Sequence, residues 1–259
     1  MGKPKIHPTA IVARDAKLAD GVSIGPYCIV GNNVKIGKNT RLVSHVIIEE
    51  TEIGMDCIVY PFATIGLPPQ DVKYKGERTK VKIGDRNIIR EYITIHRAST
   101  GGDGITEIGN DNFLMAYAHI AHDCKIGNSV TMANVATLAG HVTVEDFAVI
   151  GGLVAVHQFT KIGAYAMIGG FSGVRQDIPP YMTASGSRAE LYGLNTIGLK
   201  RHGFEESAIR ELKRAYKILF RSKFTLREAI DKIKGELKQS KAIEHLLNFI
   251  EQNKRGICR

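Results

Sequence analysis

Aliphatic residues recur at every sixth position through most of this chain, and that period rules out most folds. Counting from Ile108, the first position of successive sixes reads Ile108, Leu114, Ile120, Ile126, Met132, Leu138, Val144, Ile150, Val156, Ile162, Ile168 and Val174. The second position is often glycine, as at Gly109, Gly127, Gly151, Gly163 and Gly169. The fifth is small: Ala118, Cys124, Val130, Ala136, Val142, Ala148, Val154, Thr160, Ala166 and Ser172. The same phase runs from Ile6 to Ile48, slips by one residue, and resumes at Ile53, Val59 and Ile65. It breaks for a loop at 67–82, returns at Ile83, Ile89 and Ile95, and breaks again near 99–107.

An amphipathic α-helix needs apolar spacings of three and four, so a strict six is not helical. The pattern instead predicts short strands joined by tight turns, each repeat placing one large and one small side chain in a narrow interior. Glycine is expected to relieve turns of positive φ. One coil cannot bury its own apolar face, so many must stack, at ~4.8 Å per coil. Three sixes per turn predict a triangular prism in which residues 18 apart lie above one another. Residues 1–190 are thus expected to form a parallel β-helix, making the chain mainly β.

After Pro179-Pro180 the period ends, and residues 191–259 read as an α-helical domain. Ile209, Leu212, Tyr216 and Leu219 form an apolar stripe over 204–221. Thr225-Leu226-Arg227-Glu228 is a capping box opening a second helix. Ile243, Leu246, Leu247 and Ile250 mark a third. The net charge of +9 is concentrated here: residues 200–259 hold 16 Lys and Arg against 8 Asp and Glu. Such a face attracts an acidic partner or phosphates. No nucleic-acid motif accompanies it, so nucleic acid is not an expected partner.

No stretch is long and apolar enough for a signal peptide or membrane span, which makes the cytoplasm the expected location. The cysteines Cys28, Cys57, Cys124 and Cys258 form no CxxC pair. The first three fall in the small inward column, where a thiol acts as a small hydrophobe. No metal or other cofactor is expected.

Histidine placement carries the functional signal. Ile120, Leu138 and Val156 stack at intervals of 18. His122 follows the first by two residues, His141 the second by three, and His157 the third by one, while His119 sits just before the stack. Turn histidines are often mere surface residues; four gathered on one corner suggest a site. Imidazole titrates near neutrality and takes a proton from an attacking hydroxyl. Asp123 is placed to orient His122, and Gly140 leaves its N–H free to approach an oxyanion. These parts suit acyl transfer without a covalent intermediate, since GxSxG is absent and Cys124 points inward.

The segments IGPYCIVG (24–31), QDVKYKGE (70–77), TIHR (94–97), AYAHIAHDC (116–124), ATLAGHV (136–142), AVHQF (155–159), SGVRQDIPPY (172–181) and GLKRHGF (198–204) resemble the acyl-carrier-protein-dependent UDP-N-acetylglucosamine O-acyltransferases, over essentially the full length. That family performs the first step of lipid A biosynthesis. The resemblance implies a left-handed β-helix, against the usual crossover hand, and a homotrimer with clefts between neighbours. It implies transfer of an (R)-3-hydroxyacyl chain from acyl carrier protein to the 3-hydroxyl of UDP-N-acetylglucosamine. His122 is then the general base, Asp123 its partner and Gly140 the oxyanion donor. Gln70, Asp71, Lys73, His96, His119, His141, His157, Gln158, Asn195 and Arg201 are implied substrate contacts. Gly170 matches the acyl-length ruler, and a glycine there implies a chain of about 14 carbons. The chain departs from the family in carrying Ile197 where many members are acidic and His202 where a second arginine is common.

Three other readings compete. One is an N-acyltransferase or an acetyl-CoA-dependent relative. Another is a zinc enzyme using His119, His122 and His141. The last is a scaffold without activity.

Overall fold

The computed structural model describes residues 2–238, 240–253 and 255–259. Short parallel strands wind into three sheets, which begin with Lys5–Ile6, Ile11–Val12 and Lys17–Leu18. We number these sheets one to three in that order. Successive strands within each sheet pair in register: Ile95 lies under Ile120, Ile120 under Leu138, and Leu138 under Val156. The 18-residue return is therefore real where the hexads are unbroken.

The interior follows the two columns. Every first-position residue from Ile108 to Val174 is buried, and so is every fifth-position residue from Ala118 to Ser172. Large and small side chains alternate around a triangle too narrow for two large ones, which gives dense packing.

The role of glycine differs from the expectation. The left-handed residue of each turn is the fourth of the six, and it is rarely glycine. From Asp111 through Tyr117, Asp123, Ser129, Val135 and His141 to Phe171, every sixth residue has φ between 54° and 64°. The second-position glycines are needed for close approach. A Cβ on Gly109 would lie 2.6 Å from the Gly127 carbonyl oxygen, and one on Gly163 would lie 2.3 Å from the Pro180 nitrogen.

Both loops leave the prism at the edge between sheets two and three. Both end earlier than the period suggested, because returning arms pair before the hexad phase resumes. Strands Thr64–Leu67 and Lys80–Ile83 leave 68–79 as the first loop, and Thr94–His96 and Ile105–Ile108 leave 97–104 as the second. Lys80–Ile83 pairs along its whole length with Ile105–Ile108.

An antiparallel hairpin, Met182–Ser185 with Glu190–Leu194, adds to sheet one past the last coil. Four helices follow: α1 Thr196–Arg201, α2 Glu206–Phe220, α3 Leu226–Glu236 and α4 Lys241–Glu251. The capping box at Thr225 and Glu228 is formed in both directions. The hairpin and α1 were not legible in the sequence. The apolar stripes of α2 and α4 are buried at Ile209, Leu212, Leu219, Ile243, Leu246 and Ile250. Among the described residues no helix is long and apolar enough to cross a membrane.

Candidate active site

The edge between sheets two and three brings most of the expected residues together. His122 and Asp123 occupy one turn, Gly140 and His141 the turn one coil on, and His157 and Gln158 the next. The two loops close over the same edge from the other side.

His122 Nδ1 is 2.8 Å from Asp123 Oδ2. With Nδ1–H donating to the carboxylate, Nε2 is left as the free base. Asp123 is buried and held at several points. Its Oδ2 also accepts the Ser99 N–H at 2.9 Å, and its own N–H donates to Thr106 Oγ1 at 2.9 Å. Its Oδ1 is buried with no partner in the chain. The left-handed backbone of Asp123, φ 59°, folds the carboxylate back beside its neighbour's ring.

Gly140 lies directly on the His122 ring. A Cβ there would be 2.6 Å from Cε1 and 2.7 Å from Nε2. The Gly140 N–H makes no hydrogen bond among the described residues, while its carbonyl accepts from Phe159. The residue packed on the ring thus keeps a backbone donor unused.

His141 Nε2 is 3.8 Å from Asp123 Oδ2. Its ring meets His122 edge-on with centroids 5.2 Å apart, and stacks on Phe159 at 4.5 Å. His122, Asp123 and His141 hold ligand-capable atoms all within 4.8 Å of one another and are, among the described residues, the one group able to take a metal ion. His119 is not in it. Its Nδ1 is 2.6 Å from Thr94 Oγ1, and its ring meets His96 edge-on. Burial, then the charges of His96 and His122, pushes its pKa down to about 4, so it is neutral at physiological pH. His96 is also shifted down, chiefly by burial, and its Nδ1–H donates to the Pro68 carbonyl at 2.7 Å.

Loop residue Asp71 joins the site through a residue the sequence did not flag. Ser99 Oγ donates to Asp71 Oδ2 at 2.6 Å while the Ser99 N–H bonds Asp123. Asp71 thereby connects to His122 through Ser99 and Asp123. The Ser99 hydroxyl and the Lys73 N–H hold the Asp71 carboxyl below the usual range. Arg97, also unflagged, ties the first loop down through the Tyr74 hydroxyl and the Gly66 carbonyl. Gln70 and Lys73 stand exposed on that loop, as does Gln158 on its turn. The only advance signal was that Arg97 closes the TIHR segment and Ser99 follows it by two residues.

Three expected residues lie elsewhere on the prism. Asn195 and Arg201 are near the edge between sheets three and one. Asn195 caps α1 through Gly198 N and donates to the Tyr165 carbonyl, leaving one amide N–H. Ile197 is 67% exposed, and His202 packs edge-on against Phe147 and Tyr165. Gly170 is at the third edge, between sheets one and two. A Cβ there would meet only Gly152, at 3.2 Å from its oxygen.

Cys124 points inward as expected, and burial pushes its thiol up to about 12. All four cysteines are free and buried.

The family model described as "Udp N-acetylglucosamine O-acyltransferase; Domain 2" matches residues 177–258, and the bacterial transferase hexapeptide model matches 15–50 and 105–140. The chain is 69% identical to the acyl-[acyl-carrier-protein]–UDP-N-acetylglucosamine O-acyltransferase of Thermodesulfovibrio yellowstonii, covering 98% of this chain and 99% of that one. The chain belongs to the UDP-N-acetylglucosamine O-acyltransferase family. The Syntrophobacter fumaroxidans member is 55% identical, over 98% of this chain and 100% of its own. The solved LpxA of Acinetobacter baumannii superposes with a TM-score of 0.95 at 44% identity, covering 98% of this chain and 99% of that structure. The acyltransferase of Francisella novicida does so at 0.95 and 42%, covering 98% and 94%. With these relatives the coil is a left-handed β-helix, and the chain is an acyltransferase.

Proposed function

We propose that the protein transfers an (R)-3-hydroxyacyl chain from acyl carrier protein to the 3-hydroxyl of UDP-N-acetylglucosamine, the first step of lipid A biosynthesis. The observation that carries this reading is the His122–Asp123 pair with Gly140, whose N–H is unbonded among the described residues, packed against the imidazole. His122 Nε2 takes the sugar's 3-OH proton as the oxygen attacks the thioester carbonyl. Asp123 holds the ring and stabilises the imidazolium, and the Gly140 N–H receives the oxyanion. Collapse breaks the C–S bond, and the imidazolium proton goes to the departing thiolate. No enzyme-bound acyl group forms.

Asp71 and Lys73, with Gln70, contact the acyl chain's hydroxyl or the sugar, while His96, His119, His141, His157 and Gln158 line the cleft. Neutral His96 and His119 suit an uncharged sugar. Asn195 and Arg201 lie on a different edge from the base, so they serve the active site of a neighbouring subunit. That arrangement requires the homotrimer. An exposed ladder supports it: Tyr92, Tyr117, Val135, Leu153 and Phe171 stand 40–77% exposed along the edge that holds Gly170, an apolar surface that a monomer would leave in water. The same edge suits the acyl groove, with Gly170 leaving it long.

Purified protein given a mixture of acyl-carrier donors, UDP-N-acetylglucosamine and its 3-amino analogue should yield the 3-O-(R)-3-hydroxyacyl sugar nucleotide by mass spectrometry. His122→Ala should lower kcat by at least ~10²-fold with the assembly intact. Activity with acetyl-CoA alone, or on the amine alone, would overturn the reading.

A further inference from the structure

The edge carrying His122 continues upward past His157 into a basic cavity whose arginines the mechanism above leaves unused. A cleft lined by His141, Phe159, Lys161, Asp177 and Arg255 adjoins a second, of about 390 Å³, lined by His157, Arg175, Gln176, Arg188 and Arg255. Arg255 borders both. The lining of the second contains three guanidinium groups and no carboxylate. Arg175 and Arg188 are exposed and make no ion pair among the described residues. Arg255 is held by His157, its Nη2 being 2.6 Å from His157 Nδ1, and its Nε is buried with no partner. Arg255 also feels the nearby Asp177 carboxylate, whereas Arg175 and Arg188 stand unopposed. Guanidinium groups gathered around a concave space make a site for a phosphoryl group.

Register fixes how far this site lies from the base. Ala155–Val156 pairs with Gly173–Val174, so Arg175 stands over His157. From the turn of His122 to that of Arg175 is three coils, or ~14 Å. The two phosphate-bearing substrates differ in reach. In a sugar nucleotide, five to seven bonds separate the 3-hydroxyl from the phosphorus atoms, about 6–8 Å at the span of an extended chain. In a carrier protein's pantetheine arm, about thirteen bonds separate the sulfur from the phosphodiester, roughly 15 Å extended. Only the arm matches.

We propose that Arg175, Arg188 and Arg255 bind the phosphodiester of the carrier's pantetheine arm, with the arm lying along the edge so that its thioester reaches Gly140 and His122. This rests on the function proposed above and assigns it a donor subsite.

The test compares (R)-3-hydroxyacyl-phosphopantetheine with the same acyl-pantetheine lacking phosphate, each with UDP-N-acetylglucosamine. Wild-type protein should favour the phosphorylated donor by roughly 10- to 100-fold in kcat/KM. In the double variant Arg175→Ala, Arg188→Ala that ratio should fall to near one, and the paired lysine variant should restore part of it. Circular dichroism confirms folding. Three outcomes would overturn the proposal: a ratio unchanged by the double variant, a rise in KM for the sugar nucleotide in place of the donor, or loss confined to the whole carrier protein, which would assign the arginines to the carrier's acidic surface. Failure of wild-type protein to acylate the sugar with any donor would instead sink the function itself.

Discussion

Gly140 rests against the His122 imidazole so closely that a methyl group on it would lie 2.6 Å from Cε1. The backbone of Gly140 is not in the left-handed region, so contact alone demands glycine there. Alanine would push the ring away from Asp123. Gly140→Ala should therefore lower kcat by roughly 10²-fold, with a stability cost of only about 1–3 kcal/mol. Steady-state kinetics and thermal melts of the variant would separate the two effects.

Acid should destabilise the protein earlier than its carboxylates alone would dictate. Unfolded, His119 takes a proton near pH 6.5. Folded, it does so only at about 4. Between those values the unfolded chain binds more protons, so stability falls as pH drops through that window. The contribution is complete above pH ~6.5 and amounts to at most about 3 kcal/mol. His96, shifted the same way, adds to it. His119→Gln should flatten the fall in Tm between pH 6.5 and 4; an unchanged slope would mean the ring is charged in the folded protein.

What was legible beforehand follows from the physics of each level. The coil could be read because a narrow triangular interior admits one large and one small side chain per repeat, which writes itself as a period of six. Stacking at 18 residues then placed His122, Gly140, His141 and His157 on one edge. The turn glycines were misread because a backbone too close to the next coil and a backbone at positive φ both exclude a Cβ, and sequence alone cannot tell them apart. Ser99 was missed because its role depends on two loops meeting, a long-range event with no local signature. The hairpin at 182–194 escaped because Gly186, Ser187 and Gly193 read as loop. The six-residue helix α1 is too short to show periodicity.

Ser99 bridges the two loops and the base's partner, so its removal should be felt in binding. In Ser99→Ala the backbone N–H still reaches Asp123, but Asp71 loses its hydroxyl partner. The expected result is a KM increase of about 10-fold with kcat changed far less, from an interaction of about 1.5 kcal/mol to a charged group. Equal loss in both parameters would place the serine in the chemical step.

Zinc should inhibit rather than activate. In a tetrahedral site with bonds of about 2.0 Å, donors lie about 3.3 Å apart. The separations from Asp123 Oδ2 to the His122 and His141 nitrogens are 2.8 and 3.8 Å, so a small shift would seat the ion. Occupying that position displaces the His122–Asp123 hydrogen bond that orients the base. Micromolar zinc should slow the reaction and chelator should reverse it, while chelator-treated protein keeps its full rate. Loss of activity on chelation would revive a zinc mechanism.

The three edges of the prism make the most demanding prediction. His122 belongs to the edge between sheets two and three, and Arg201 to the one between sheets three and one, so a single chain does not bring them together. If neighbouring subunits complete the site, two inactive chains can rescue each other. Chains carrying His122→Ala keep Arg201, and chains carrying Arg201→Ala keep His122. Where the two kinds meet in one trimer, the base of the second faces the arginine of the first. Each variant alone should be strongly impaired, yet the two co-expressed with different tags and purified as mixed assemblies should regain a substantial fraction of wild-type kcat. Mixed assemblies no more active than either parent would show that both residues serve sites within their own chains, and the shared cleft would have to be abandoned.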